Sequence, residues 1–375
     1  MRNTHIGIIG GGQLGMLLVQ AAIPFPCRVS VYDPNPSCSA AVFSDSFTQG
    51  AFDDEESIVE FGRGCDAVIF EIEQVNVGAL LELEAAGVRV VSSARSLEWI
   101  QNKALQREVL AQHGFPGPHF ERLSANDLGN YSGPFPVVQK WETGGYDGKG
   151  VQIHADLESL MTAEPRDSLL EENVAIEKEL SLLLAANDSG DVVFYSPTEM
   201  VFDSQLNLLD YLIAPARISV EIQSEMEVLG RKLVEELKLV GVYAIEFFLT
   251  KSGELLVNEI SPRVHNSGHH TVSANVCSQY EQQIRIALGL PLGSTQMLHH
   301  SLLANLISDQ SSGLTNYVGL EAAYALPGVQ LTFYGKNEVR PGRKMGHAII
   351  QAGDLNLALE QLQQLRTTLT ITSHD

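Results

Sequence analysis

Residues 255–271, LLVNEISPRVHNSGHHT, together with VYAIEFFLT just before them at 242–250, decide how this chain is read. Val242–Phe248 and Leu255–Ile260 are apolar, β-rich runs, and the turn-prone Lys251-Ser252-Gly253-Glu254 lies between them. Folded as a hairpin about Ser252-Gly253, they set Glu246 directly opposite Glu259, because the two are equidistant from the turn. Facing side chains on antiparallel strands have Cβ atoms about 5 Å apart, where like charges repel. Two carboxylates so placed call for something positive between them. An oxygen-seeking cation such as Mg²⁺, itself clamping a polyphosphate, is the economical candidate; a solvated strand face with two scattered acids is the competing reading. Arg263, His265, Asn266, His269 and His270 crowd behind the pair, and Gly268 keeps the backbone open. That density of hydrogen-bonding groups straight after a strand end marks a site.

The rest of the chain frames that hairpin. A length of 375 residues exceeds one ordinary core, so two or three packed units are expected. With 44% hydrophobic residues and a mean hydropathy of +0.02, the chain reads as a soluble globular protein. No apolar run approaches the ~20 residues of a membrane span, and the N-terminus enters a strand without a leader pattern, so a cytoplasmic location is expected. Cys27, Cys38, Cys65 and Cys277 are scattered without ligand spacing, which fits reduced thiols better than zinc or disulfides. A net charge of −22 argues against a nucleic-acid partner, since that binding rests on neutralising phosphates. Small phosphorylated ligands need only a local cluster of donors.

Three segments show in the pattern. Residues 1–100 alternate strand and helix signals (HIGIIG, CRVSVYDP, DAVIFEIE, VRVVS with helices between), as a parallel sheet covered by helices requires. A helix expected from Gln101 to His113 stops at the breaker Gly114-Phe-Pro-Gly-Pro. Residues 101–295 are then richer in strands joined by hairpin-like turns, and 296–375 hold short strands and a final helix at Leu355–Leu365.

Four motifs carry chemistry. Gly10-Gly11-Gly12-Gln13-Leu14-Gly15 follows a strand and satisfies G-x-G-x-x-G, with Asp33 closing the next strand. That is compatible with dinucleotide binding or with a bare β–α turn. FPVVQK ends on Lys140 and leads into Glu142–Gly150 (ETGGYDGKG), whose backbone N–H groups could wrap phosphates while Lys140 and Lys149 offset their charge. Gly150 follows Lys149 and another strand comes next, so this is not a Walker loop. Glu171-Glu172-Asn173-Val174, with Glu179 beyond it, suits a crossing between domains that reads adenine and ribose, or a merely solvated acidic loop. Lys336, Arg340, Arg343, Lys344 and His347 fall within twelve residues of an otherwise acidic protein, a candidate anion clamp or an exposed hairpin.

The order GGGQLG, FEIE, Lys140 with GGYDGKG, Glu179-Leu-Ser, IEFF, NEISPRVHNSGH, SQYEQQIR, YGK and RPGRKMGH resembles the ATP-grasp superfamily, and within it the N5-carboxyaminoimidazole ribonucleotide synthetase family of purine biosynthesis. The resemblance implies an α/β and α+β protein: a Rossmann-like N-terminal domain (1–100), a central ATP-grasp fold (101–295) and a small β-rich C-terminal domain (296–375). It implies carboxylation of the amine of aminoimidazole ribonucleotide by bicarbonate, driven by ATP with one or two Mg²⁺ ions and without biotin, in a homodimer functionally coupled to a mutase. By position, Lys103, Lys140, Gly144, Gly145, Tyr146, Asp147, Gly148, Lys149, Gly150, Glu171, Glu172, Asn173, Val174, Glu179 and Asn258 would meet ATP, and Glu246 and Glu259, with Asn258, would hold metal. Gln13, Leu14, Asp33, Glu73, Tyr146, His265, Lys336, Arg343 and Lys344 would surround the ribonucleotide. Arg263, His265, Asn266 and His269 would be catalytic, with Arg263, Asn266 and His269 facing bicarbonate.

The chain departs from the family pattern in places. Met16 stands where Arg is usual, Met200 and Phe202 where Asn and His are usual, Arg107 for a common Lys, and His270 for an aromatic. Three other readings compete: a dehydrogenase built on residues 1–40, another ATP-grasp ligase such as a formate-using glycinamide ribonucleotide ligase, and a nucleotide-binding homologue without catalysis.

Overall fold

The structure, a computed structural model, describes residues 4–145, 150–202 and 209–374. Its N-terminal layer is a parallel sheet in the order Ser46–Gln49, Cys27–Asp33, Thr4–Ile9, Ala67–Phe70, Arg89–Val91. Beyond Thr4 and His5 the two central strands, Thr4–Ile9 and Ala67–Phe70, are buried and apolar, because helices such as Gln13–Ala22 and Glu55–Arg63 cover both faces. Strand order reverses beside Thr4–Ile9, so its carboxyl end (Gly10–Gly12) and that of Ala67–Phe70 (Glu71–Glu73) open on one crevice, where ligands of such sheets usually lie.

Two further sheets face each other beyond it. The smaller is antiparallel, ordered Phe120–Leu123, Ser168–Glu172, Val137–Trp141, Val151–His154. The larger runs Leu255–Ser261, Gly241–Thr250, Ile176–Ala186, Thr198–Phe202, Leu209–Ala214, Ser301–Ile307, Lys344–Gln351, Val329–Phe333, with Val192–Phe194 beside Ile176–Ala186. Helix Val220–Leu237 packs on its back through Met226, Leu233 and Val234 against Leu180, Leu182, Tyr243 and Phe247. Strands from the C-terminal segment therefore extend the central sheet.

Local details differ from the sequence expectation for physical reasons. The helix expected from Gln101 to His113 spans Lys103–Gln112, because the Asn102 side-chain oxygen caps the N–H groups of Ala104 and Leu105 and starts the helix there, and a separate helix, Ala94–Ile100, precedes it. Glu171 and Glu172 end a strand; Glu171 is buried in an ion-pair ring described below, a contact invisible in sequence. The hairpin pairs Glu246 with Glu259 as expected, but by another route. Its turn centres on Ser252, Leu249 facing Leu255 and Phe247 facing Val257, so a regular ladder would bring Asn258 opposite Glu246. A β-bulge at Asn258 adds one residue and moves Glu259 into place. The bulge also puts the adjacent Asn258 and Glu259 on the same, cleft-facing side, while Val257 and Ile260 point into the core.

Candidate active site

The Glu246–Glu259 pair sits at the floor of the cleft between the two sheets. Lys103, first residue of its helix, donates from Nζ to Glu259 Oε2 at 2.6 Å. Lys140, on the facing sheet, donates to Asn258 Oδ1 at 2.9 Å and pairs with Glu171 Oε2 at 2.5 Å. Glu179, on the strand next to Gly241–Thr250 and opposite Phe248, faces the same charges. His265 Nε2 lies 3.7 Å from Glu246 Oε1, and its Nδ1 is bonded to the Ser267 hydroxyl at 2.9 Å.

These charges are not balanced. Three carboxylates, Glu179, Glu246 and Glu259, share two lysines, and they divide them unequally. Lys103 first of all holds the Glu259 carboxyl well below the usual range. Burial, then the charges of Glu259 and Glu179, pushes Glu246 well above it. Burial also lifts Glu179 to about 7. One more positive charge would let all three ionise, and hard oxygen donors side by side are what Mg²⁺ takes. Among the described residues no group of three His, Cys, Asp or Glu side chains could hold a metal. The pair thus fits an ion that completes its shell with water and phosphate oxygens.

The N-terminal crevice opens beside this floor. Arg263 NH2 reaches Glu73 Oε1 at 2.9 Å, and Gln13 Nε2 donates to Asn266 Oδ1 at 2.9 Å, so both residues stitch the crevice to the block after the Glu259 strand. Gly11 N–H donates to Asp33 Oδ2 at 2.7 Å and Gly12 N–H to Glu71 Oε1 at 2.9 Å. The donors that would cradle a dinucleotide pyrophosphate are thus occupied by the protein's own carboxylates, which removes the physical basis of the dehydrogenase reading. Gly10 is required here: its φ is +103° and a Cβ would stand 2.6 Å from Glu71 Cγ. Glu71 itself is pushed up to about 7 by burial.

Other expected residues lie differently. Leu14 is buried in the N-terminal core, so only its backbone faces the crevice. His269, expected to face bicarbonate, is 1% exposed and belongs to a seam instead. Its Nδ1 bonds the Tyr280 hydroxyl at 2.5 Å and its ring stacks on His347 at 4.4 Å, which bonds the Tyr334 hydroxyl at 2.9 Å. Burial, then His347, depresses its pKa far below normal and keeps it neutral. Lys336 donates to the Lys344 carbonyl at 2.5 Å, and Lys344 is among the charges that depress His269, so these two lysines lie near the His269 seam. Arg343 turns aside: NH1 donates to the Glu338 carbonyl at 2.7 Å on its own hairpin.

In the glycine loop, Gly144 (φ +78°) and Gly150 (φ +79°) are left-handed. Tyr146, Asp147, Gly148 and Lys149 lie outside the described residues. Glu172 and Asn173 are exposed beside half-buried Val174 at the crossing to Ile176–Ala186. Met200 and Phe202 pack with Leu209, Leu212, Leu303 and Ile349 and glue the central strands to C-terminal ones, an apolar use for positions usually polar.

Sequence reasoning missed Glu142 and the significance of Arg107. Glu142 accepts from Arg122 through both oxygens (2.6 and 2.7 Å) and from Asn102 at 2.8 Å, tying the root of the glycine loop to the start of the Lys103 helix. Its place as first residue of that loop was the available signal.

Family models match the chain as a ribonucleotide synthetase preATP-grasp domain over residues 3–101, an ATP-grasp domain over 108–280 and a phosphoribosylaminoimidazole carboxylase C-terminal domain over 301–361. An N5-carboxyaminoimidazole ribonucleotide synthase of Synechococcus elongatus is 36% identical, covering 97% of this chain and 93% of the relative. The Bacillus subtilis protein of the same name is 34% identical over 91% and 90%. The crystal structure of N5-carboxyaminoimidazole ribonucleotide synthetase from Thermotoga maritima superposes with a TM-score of 0.90 at 39% identity, covering 99% of this chain and all of that one. An Aspergillus clavatus synthase solved with ADP and 5-aminoimidazole ribonucleotide superposes at 0.87 and 29% identity over 98% and 99%.

Proposed function

The chain belongs to the N5-carboxyaminoimidazole ribonucleotide synthase family, ATP-grasp ligases that carboxylate aminoimidazole ribonucleotide at the expense of ATP in purine biosynthesis, and from that premise we propose how its own residues divide the work. One observation carries the reading: Glu246 and Glu259 face each other beside Asn258, with Lys103 and Lys140 reaching in from two different elements. Bicarbonate is a poor electrophile and must first be activated by the γ-phosphoryl group, which brings two anions together. Lys103, Lys140 and the loop Gly144–Gly150 offset that repulsion and position the nucleotide. Glu246, Glu259 and Asn258 would hold Mg²⁺, which when bound supplies charge neutralisation on the phosphates. The ion is that of ATP-grasp chemistry, and its number is one or two.

The carboxyphosphate formed hydrolyses readily in water, so the cleft has to exclude solvent while the amine attacks. Glu73, Gln13 and the 263–266 block line the crevice where the ribonucleotide lies, and Lys336 and Lys344 meet its phosphate from the opposite side. Glu179, with its pKa near 7, accepts from ribose hydroxyls of ATP without adding a full charge. His265, held by Ser267 and near Glu246, would take the proton of the reacting amine. Arg263 and Asn266 would orient bicarbonate; His269 holds the seam behind them and is not one of the reacting groups. No helix among the described residues is long and apolar enough to cross a membrane. We further propose a cytoplasmic homodimer whose labile product passes to a mutase.

The test is ADP release with and without aminoimidazole ribonucleotide, in bicarbonate-containing and bicarbonate-depleted buffer. Release that needs bicarbonate and is raised by the ribonucleotide is expected. Release stimulated by formate and glycinamide ribonucleotide would identify a different ligase.

A further inference from the structure

The strand carrying Glu259 is the edge of the large sheet, so one side of its backbone has no strand to pair with. In a regular strand the outward-facing groups recur every second residue. Here the N–H and carbonyl both face outward on Val257 and next on Ile260, three apart, with the Asn258 carbonyl between them, because the bulge at Asn258 adds a residue.

Two adjacent side chains of helix Lys103–Gln112 read that irregular spacing. Gln106 makes both backbone bonds of Ile260, accepting from its N–H at 2.7 Å and donating to its carbonyl at 3.1 Å. Arg107 donates to the Val257 carbonyl and the Asn258 carbonyl at 2.6 Å each, and from Nε to Glu171 Oε1 at 2.7 Å. Pro116 completes the edge by accepting from Val257 N–H at 2.8 Å. Both side chains are deeply buried, at 5% and 4% exposure. Space for the guanidinium is reserved, since a Cβ on Gly117 would stand 2.3 Å from Arg107 NH1.

We propose that Gln106 and Arg107 are positioning residues that hold the bulge open and thereby aim Asn258 and Glu259 together into the cleft. This rests on the reading of Glu246 and Glu259 as the metal pair. Without the clamp, a strand with no bulge would present Asn258 opposite Glu246 and turn Glu259 toward the core, since a one-residue slip exchanges the faces of a strand. The same helix supplies Lys103, so one rigid element sets both the ammonium and the carboxylate it meets. Arg107 has a second duty that Gln106 lacks. Through Glu171 it closes a buried ring with Lys140, whose ammonium returns to the Asn258 side chain.

That difference shapes the experiment, made on the full chain with Gln106→Met, Arg107→Met and Arg107→Lys. Mn²⁺ affinity of the ADP-bound protein is read by electron paramagnetic resonance, ADP affinity in EDTA by calorimetry, and folding by circular dichroism. Gln106→Met should weaken Mn²⁺ binding at least tenfold while ADP affinity in EDTA changes less than threefold. Arg107→Met should weaken both, because Lys140 loses its ring, and Arg107→Lys should recover part of each, one ammonium serving Glu171 and a single carbonyl. Wild-type Mn²⁺ affinity in Gln106→Met would overturn the clamp, as would equal losses of Mn²⁺ and metal-free ADP in that variant. No Mn²⁺ bound by the wild type with ADP would overturn the metal reading and the clamp with it. If Arg107→Met does not fold, Gln106→Met and Arg107→Lys decide alone: unchanged Mn²⁺ affinity in both rejects the proposal.

Discussion

Replacing Glu246 with Gln should stabilise the ligand-free protein while abolishing turnover. Glu246 and Glu259 face each other across the hairpin, where Cβ atoms stand about 5 Å apart. At an effective dielectric of about 20, two unit charges at that separation repel by roughly 3 kcal/mol. Lys103 neutralises Glu259 and leaves Glu246 to bear the strain; burial first, and then the charges of Glu259 and Glu179, raise its pKa. The sign follows from linkage. A carboxyl whose folded pKa is raised holds its proton longer in the native state, so native stability falls as pH climbs above the ordinary carboxylate range and stays low once the group has ionised. The variant lacks that loss. Its advantage should be near zero at about pH 4.5 and approach 2–3 kcal/mol at about pH 8.5, a gain of several degrees in thermal midpoint by the usual conversion. Differential scanning fluorimetry across that range, with and without Mg²⁺ and ADP, makes the measurement. Added ligand should raise the wild-type midpoint by binding the native state and raise the variant's much less. A variant no more stable than wild type at pH 8.5, or equal ligand gains in both, would refute the assignment of a strained, cation-demanding pair.

Glu259→Gln should abolish ADP formation with the fold intact by circular dichroism, since the amide keeps volume but loses the charge that Lys103 and a cation share; wild-type turnover would sink the metal role. Gly150→Ala should raise the KM for ATP about tenfold with a small loss of thermal stability, because its φ is +79° and a Cβ would stand 2.7 Å from the Trp141 ring at the loop's root. Steady-state titration that finds KM unchanged would return the loop to a plain turn. Lys344→Ala should weaken ribonucleotide binding by roughly 2 kcal/mol, and Arg343→Ala, whose guanidinium is bonded to the Glu338 carbonyl, by less, with ATP affinity steady in both. The opposite ranking would mean that Arg343 swings in to the phosphate. Glu71→Gln should lessen the fall in ligand-free stability between about pH 5 and pH 7, because burial holds Glu71 near 7 and its ionisation destabilises the native state over that window. An unchanged pH profile in thermal melts would count against it.

Much of this protein was legible before any coordinates. Local periodicity gave the parallel N-terminal sheet, the strands over FPVVQK and Val242–Phe248, and the final helix from Leu355, because a strand or helix announces its buried face every two or every three to four residues. The opposed glutamates were legible for the same reason, both lying on one hairpin. Their register shows where that reasoning stops. Counting from the turn gave the correct partner only because a turn centred on Ser252 and a bulge at Asn258 offset each other. A bulge is held by Gln106 and Arg107, about 150 residues away in sequence, and no local pattern records it. The same holds for Glu171, an acid that sequence alone reads as an ATP contact or as solvated and the fold buries between Arg107 and Lys140. It holds again for His269, whose motif suggests chemistry while Tyr280 and His347 close around it. Sequence determined which residues could carry charge, bend or pack, since those are properties of the side chain and its near neighbours. Tertiary structure decided which charges meet and which are shut from water, because Coulombic and desolvation energies depend on distances between elements that the chain brings together only when folded.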